Sequence, residues 1–297
     1  MKKILPFLFV VLFPLVVTAK VRVVTTLPVF ASLALEIGGD HVEVSSIARA
    51  NQDPHFLDAK PSYVVVLSQA DLLVHSGLDL EIGWLPALFL QARNPKIQTG
   101  GPGDVNTSLG LNIIEITSNA DRSQGDVHPR GNPHTWLLPE NGKLIAANIY
   151  KHLVQIDPDG ESYYKSRFEA FLKSLNGTLA NHAATLKKLS GLKIITYHKS
   201  LSYFANFANL DVVATVEPKP GIPPNSKHVD MLIDTIKSQG VKAILIEEFY
   251  PRKIPEYLAE KGSIPLVVFT NTTGSRGAET YAGLIEHLIS ELGKVAP

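Results

Sequence analysis

Three histidines in this 297-residue chain carry settings from which side chains can converge on one ligand. His55 closes Asn51-Gln52-Asp53-Pro54-His55, just past an apolar run that ends near Ile47. His134 lies in Gly131-Asn132-Pro133-His134-Thr135-Trp136. His198 follows Ile194-Ile195-Thr196-Tyr197 directly. Two of the three come after a proline, which fixes the local backbone and limits the entropy lost on binding. Taken singly, each is also an ordinary loop histidine. Together, three neutral imidazoles suit Zn²⁺, with Zn–N distances of about 2.0–2.1 Å. Imidazole suits copper and nickel as well, so selectivity would come from geometry and supply. Each ring must be unprotonated to bind, so affinity should fall steeply below about pH 6.

The remaining residues narrow the chemistry. The chain has ten histidines and no cysteine. Thiolate ligands, disulfides and a cysteine nucleophile are therefore excluded, and a metal site must use histidine and oxygen. His41, His152, His182, His228 and His287 sit among polar residues and read as surface residues. His75 ends an apolar strand and reads as a half-buried, hydrogen-bonded histidine. Lysine plus arginine equals aspartate plus glutamate at 28 each, which offers nothing to nucleic acid or an anionic membrane. Apolar residues at 45% and charged residues at 19% fit a globular protein with a sizeable core.

The elements that must position these histidines alternate along the chain. Strand candidates are 21–26, 42–47, 71–75 and 113–117 in the first half, then 192–198, 212–216, 241–246 and 266–270. Several are apolar at consecutive positions, as parallel strands covered on both faces are. The class is α/β. Ligands of open α/β sheets gather beyond the carboxyl ends of strands, where His198 stands. No strand candidate appears in 141–189. Within it Asp157 is placed to cap a helix and Pro158 to occupy its first position. Tyr164, Phe168, Phe171, Leu175, Leu179, Leu186 and Leu189 form one apolar stripe. A helix over 158–190 would run roughly 45 to 50 Å, with Gly191 ending it and a bend possible at Gly177. Such a helix can join two lobes and pack against both.

At the amino terminus, Lys2 and Lys3 precede an apolar run over 4–17 and the small-residue exit Val17-Thr18-Ala19. This reads as a secretory signal cleaved near Ala19, with an exported, periplasmic chain from Lys20. The run is short for a membrane span, and no cysteine follows it to carry a lipid. The divisions expected are a signal at 1–19, an N-terminal lobe at 20–140, a helical connector at 141–190 and a C-terminal lobe at 191–297.

Read together, these segments resemble the zinc- and manganese-specific solute receptors of ABC importers, the ZnuA/TroA type, over nearly the whole mature chain. The resemblance rests on Gly38-Gly39-Asp40-His41-Val42-Glu43-Val44, Asp53-Pro54-His55 with Lys60-Pro61-Ser62, Ala70-Asp71-Leu72-Leu73-Val74 and Gly77-Leu78-Asp79-Leu80-Glu81. It continues through Asn132-Pro133-His134-Thr135-Trp136-Leu137, Thr196-Tyr197-His198, Gly240-Val241-Lys242-Ala243-Ile244 and Glu247. Their order and spacing carry it, not any one motif. It implies two α/β lobes, each a mainly parallel sheet flanked by helices, joined by one long rigid helix. It also implies one ion in the cleft, on His55, His134 and His198, with histidine at the third position as the zinc-leaning version and manganese the lesser candidate.

Two departures stand out. Where the family commonly offers an aspartate after the last strand, this chain reads Val268-Phe269-Thr270-Asn271-Thr272. Asn271 is neutral and a poor zinc ligand, so the fourth ligand is expected to be Glu247, with Glu248, Asn271 itself or water as alternatives. For Glu247 the competing role is an ion pair with Arg252 or Lys253. In place of a long histidine-rich loop before His134, the chain has Asp121-Arg122-Ser123-Gln124-Gly125-Asp126-Val127-His128. With its single histidine, that loop reads as solvated more readily than as a metal collector. The stiff stretch Glu217-Pro218-Lys219-Pro220-Gly221-Ile222-Pro223-Pro224 should shape the cleft rim.

The expected function is a monomeric receptor that hands its ion to a membrane permease, with little lobe motion. The rival is a secreted zinc hydrolase with Glu247 or Glu248 as general base. The chain lacks the histidine-glutamate-x-x-histidine helix of many such enzymes. A third reading, a receptor for an organic solute, makes the histidines incidental.

Overall fold

A computed structural model describes residues 19–117, 125 and 127–296. The signal run and most of the loop over 121–126 lie outside the described residues.

Two four-stranded parallel sheets form the framework. The first has the order β2-β1-β3-β4, from β1 (Val21–Thr25), β2 (Val42–Ser46), β3 (Leu72–His75) and β4 (Asp104–Asn106). The second has the order β6-β5-β7-β8, from β5 (Lys193–Thr196), β6 (Asp211–Thr215), β7 (Ala243–Glu247) and β8 (Leu266–Phe269). Both strand orders reverse beside the first strand of the sheet, which opens a crevice at the carboxyl ends.

Alternation along each strand explains the two-sided cover. In the first sheet Val23, Leu72 and Val74 face one apolar cluster, while Val24 and Leu73 face another. In the second, Ile194, Ala243 and Leu245 face one side, and Ile195, Ile244 and Ile246 the other. Side chains alternate with a period of two, so strands buried on both faces read as continuous apolar runs. Helices α1 (Pro28–Gly38), α2 (Pro61–Ser68) and α3 (Leu85–Ala92) cover the first sheet; α7 (Ser202–Ala208), α8 (Ser226–Gln239), α9 (Lys253–Gly262) and α10 (Tyr281–Gly293) cover the second. Their ends are set locally. Pro28, Pro61 and Pro86 occupy first turns. Asn225 caps α8 by accepting from His228 N at 3.0 Å, and left-handed Gly240 closes it.

Seven of the eight expected strands form. The exception is 113–117, which is irregular, and the fourth strand of the first sheet is 104–106 instead. Glu115 has φ +57°, which breaks the extended run, and Ile116 is exposed. The segment pairs loosely with the chain before His134, through Asn132 N to Ile114 O at 2.9 Å and Thr117 N to Pro129 O at 3.2 Å.

Between the lobes run α4 (Pro139–Ile156), α5 (Glu161–Asn181) and α6 (Ala183–Leu189). The expected single helix over 158–190 is thus two pieces. The break falls at His182, with φ −102° and ψ 10°, and α5 continues through Gly177. Asp157 does not cap the helix with its side chain; it accepts from Tyr164 Oη at 2.6 Å and faces His41 Nδ1 at 3.3 Å. Helix α5 packs on α1 of the first lobe and α10 of the second, so it touches both.

The back of the cleft is also tied directly. Tyr281 N donates to Glu36 at 2.9 Å, Tyr281 Oη to Trp136 O at 2.7 Å, and Trp136 Nε1 to Asn271 O at 2.7 Å. The apolar cluster there runs from Phe30 through Trp136 and Phe171 to Tyr281 without interruption.

Candidate metal centre

His55 leaves the carboxyl end of β2 on a turn that positions itself. Asp53 Oδ1 accepts both the backbone N–H of His55, at 3.0 Å, and its ring Nδ1, at 2.7 Å. Trp84 Nε1 donates to Pro54 O at 2.9 Å and pins the proline between them. His134 repeats the device. Asn132 Oδ1 accepts from His134 N at 3.0 Å and Nδ1 at 2.9 Å, while Ser76 Oγ donates to Pro133 O at 3.0 Å. His198, at the end of β5, turns its Nδ1 to Glu217 Oε2 at 2.8 Å, a residue at the end of the neighbouring β6.

Each ring therefore presents Nδ1 to an oxygen acceptor. The tautomer follows from that network: the proton sits on Nδ1, and Nε2 carries the free lone pair. Outer acceptors of this kind orient imidazole ligands and raise their basicity. His55 Nε2 is buried without a hydrogen-bond partner. A donor atom from each of His55, His134 and His198 lies within 4.8 Å of the others. The ring centroids are 5.3, 5.3 and 5.4 Å apart. Rings bound at about 2.0–2.1 Å to one tetrahedral ion would have centroids about 5 Å apart. The three are 2% to 7% exposed.

Burial, helped by the neighbouring His55 and His198 rings, holds His134 well below the usual histidine range. It is thus a neutral ligand without metal. Burial works to raise the Asp53 carboxyl, but the hydrogen bond and charge of His55 outweigh it and hold the group below the usual range.

Glu247 stands outside the triad among the described residues. It is 1% exposed, Ser200 Oγ donates to one carboxyl oxygen, and the other is buried without a partner. Burial pushes its carboxyl up to about 8 against the pull of the Ser200 bond, so it holds a proton at neutral pH. Its hydrogen-bond partner is thus Ser200, and neither Arg252 nor Lys253. Glu248 faces Arg276 Nε at 3.3 Å. Asn271 is buried, and its carbonyl serves Trp136.

Other histidines differ from expectation. His41, His152, His182, His228 and His287 are half-buried and hydrogen-bonded, not free on the surface. His75 is half-buried against Asp104 at 2.8 Å, as expected. His128 is not out in solvent: its ring centroid is 5.3 Å from that of His55. It lines a cavity of about 520 Å³ with His134, His198 and Glu217. Pro218 and Pro220 border that cavity too, so the proline-rich stretch does shape the rim.

Sequence reasoning missed the orienting residues. Asp53 and Asn132 carry a signal, an Asx residue two positions before a proline-linked histidine. Glu217 carries none, because its partner is 19 residues away.

A family model described as "Zinc-uptake complex component A periplasmic", ZnuA, matches residues 23–295. Among curated relatives, the metal ABC transporter substrate-binding lipoprotein SsaB of Streptococcus sanguinis is 23% identical, over 93% of this chain and 89% of its own. The manganese ABC transporter substrate-binding lipoprotein PsaA of Streptococcus pneumoniae is 25% identical, over 88% of this chain and 83% of its own. A crystal structure of ZnuA is similar at 25% identity and TM-score 0.79, covering 94% of this chain and all 100% of that one. A cadmium-bound periplasmic metal binding protein from candidatus Liberibacter asiaticus shares the fold at 18% identity and TM-score 0.76, over 93% and 99% of the two chains.

Proposed function

The chain belongs to the ZnuA family, and on that premise we propose that it captures zinc in the cleft between its lobes and delivers it to an ABC importer permease. At the coarser level it is a metal-binding receptor of an ABC importer and not an enzyme. Zinc is the finer step, because relatives named for manganese occur beside those named for zinc. The observation that supports it is the triad: one ring nitrogen from each of His55, His134 and His198 within 4.8 Å of the others, with the three Nδ1 atoms bonded to Asp53, Asn132 and Glu217, which leaves Nε2 for the ion. An all-imidazole set favours zinc over manganese, which prefers carboxylate and water.

In this reading His55, His134 and His198 hold the ion. Glu247 stands outside their cluster and becomes a ligand only by moving its unbonded oxygen towards them and giving up its proton, so Glu247→Gln should weaken zinc binding by no more than a few-fold. The receptor works outside the cytoplasm, which we extend to the periplasm. No described helix is long and apolar enough to cross a membrane. The streptococcal relatives are named lipoproteins, whereas this chain has no cysteine to lipidate. We propose a monomer whose lobes, tied behind the cleft, release the ion through local shifts.

The test is competitive titration of the metal-stripped protein with zinc and manganese. One zinc per chain, bound more tightly than manganese and lost in His55→Ala, is expected. No zinc uptake, or tighter manganese binding, would overturn the reading. The hydrolase rival finds no support in relatives named as substrate-binding proteins; zinc-dependent turnover that vanishes in His198→Ala would revive it.

A further inference from the structure

The second sheet ends in β8, and the pairing with β7 fixes which of its backbone groups are engaged. Ile244 N donates to Pro265 O at 3.0 Å and Glu248 N to Phe269 O at 3.0 Å. Between these bonds Ile244 to Glu247 pair with Leu266 to Phe269 in unbroken register. In a parallel ladder, alternate residues of a strand bond to one neighbour. The peptide groups of Val267 and Phe269 therefore face β7, and those of Leu266 and Val268 face the outer edge, beyond which the sheet has no strand. Such an open row is a template for a further strand unless the fold blunts it.

The two edges of this sheet differ. At the β6 edge the register slips between Ile194 and Ile195, and an irregularity of that kind turns an edge away from pairing. The cavity beside β6, about 310 Å³, is lined by Glu115 and Lys199, one charge of each sign. The cavity beside β8 is about 630 Å³ and is lined by Leu266, Val267 and Val268 and by four exposed cations. Lys242 precedes β7 and Lys294 follows α10, while Arg252 and Arg276 come after β7 and β8. Glu291 is the one acid among the described residues of the lining, and it already accepts from Lys294 at 2.6 Å. Arg276 reaches Glu248 at 3.3 Å, whereas Lys242 and Arg252 meet no carboxylate within 4 Å among the described residues. Lysine on an edge discourages pairing with neutral or basic chains. Four cations around a groove do the opposite to an acidic one, by complementary charge.

We propose that the β8 edge is a docking groove for an extended acidic segment of a partner protein, which adds to the second sheet as a fifth strand. The peptide groups of Leu266 and Val268 bond the incoming backbone, and its carboxylates meet Lys242 towards one end of the groove and Arg252 towards the other. Strand addition takes its affinity from the main chain and its specificity from alternate side chains. The four residues of β8 span about 13 Å, so a segment of about four or five residues fills the edge. In the order β6-β5-β7-β8 the strand that leads to His198 is β5, with β7 between it and β8. Docking at the outer edge therefore leaves the three histidines untouched, and it holds whichever ion they bind.

Fluorescence anisotropy of the full chain with a labelled octapeptide of alternating glutamate and valine tests this. Two control probes accompany it: the same peptide with lysine in place of glutamate, and the acidic peptide N-methylated at alternate backbone nitrogens, which removes its donors on one side. The acidic probe is expected to bind about tenfold or more tightly than either control, and to slow amide exchange at Leu266 and Val268. Reversing two exposed charges, in the double variant Lys242→Glu and Arg252→Glu, should weaken it about tenfold at an unchanged melting temperature. No binding of the acidic probe, or equal binding of the N-methylated one, would leave the cations as guards of an unused edge and overturn the proposal. An oligothymidylate of equal charge that binds as tightly would also overturn it, by making the groove a general anion site. The exchange measurement uses the unaltered protein, so it does not depend on how the variant folds.

Discussion

The two sides of the cleft build their ligands differently. On the first side, Asp53-Pro54-His55 and Asn132-Pro133-His134 each orient their own histidine, with one side-chain oxygen accepting from both backbone and ring. On the second, His198 depends on Glu217, from the neighbouring strand. The first side therefore offers two preorganised rings on local turns, and the second offers one ring whose aim requires the sheet. A local device survives small movements of the fold, whereas a tertiary one couples the ligand to its lobe.

The largest effects should come from the ligands themselves. Structural zinc sites bind with about 10–16 kcal/mol in total, and on that scale loss of one of three rings should cost about 3 kcal/mol or more, beyond a hundredfold in affinity. Calorimetric titration should show this for His55→Ala, His134→Ala and His198→Ala. The comparison adds an order. His198→Ala leaves two rings held on one side, while the other two variants each leave a pair that spans the cleft. His198→Ala should retain the most residual binding, and the reverse order would break the distinction.

Next in size are the orienting oxygens. Asp53→Ala and Glu217→Ala should each weaken zinc binding about ten- to a hundredfold. They should differ elsewhere. Glu217 also accepts from Gly221 N at 3.2 Å, so its loss should raise amide hydrogen exchange in the proline-rich rim. Asp53→Ala should leave that rim unchanged. Equal exchange in both variants would show that Glu217 is as local as Asp53.

Much of this was legible in the sequence. The three ligands announced themselves through loop position and two prolines, and seven strands through apolar runs. The failures share a cause. The run 113–117 has strand composition, but a left-handed Glu115 and pairing to the chain before His134 override it. The surface reading of five histidines assumed that polar sequence neighbours mean solvent, yet all five are half-buried: His41, His182, His228 and His287 reach other elements, and His152 bonds back to its own helix. His128 was read as solvated for the same reason. Glu217 could not be found because nothing within a few residues of either partner records their pairing. Local devices are written in local sequence, and tertiary ones are not.

Smaller still is the pH response of the metal-free protein, in which the two sides oppose each other. The depressed His134 contributes stability that is present above its unfolded value near 6.5 and is lost as pH falls towards its folded value. Glu247, raised from 4.5 to about 8, acts the other way. Its contribution is complete below 4.5 and is lost as pH rises through about 8. Between 6.5 and 8 Glu247 acts alone, with a slope of at most about 1.4 kcal/mol per pH unit. Denaturant titrations of the metal-free protein should therefore show stability declining from pH 6.5 to 8, and Glu247→Gln should flatten that decline. An unchanged slope in the variant would mean that Glu247 is ionised in the native cleft, and would return it to the list of ligands.

The smallest effect concerns what keeps the two sides in register. Helix α5 runs unbroken through Gly177, and a Cβ built there meets nothing within 4 Å. Alanine at a compatible helical glycine stabilises by about 0.5–1 kcal/mol, through helix propensity and a less disordered unfolded chain. For a chain of this size that is a rise in melting temperature of about 1–4 °C. If the connector holds the lobes fixed and is interrupted only at 157–160 and at His182, stiffening Gly177 should not alter zinc release. Stopped-flow chelation of the zinc-loaded Gly177→Ala variant should give the unaltered off-rate. A slower release would place a working hinge at Gly177, and would mean that the cross-cleft ligand His198 separates from the first-side pair by lobe motion and not by local shifts.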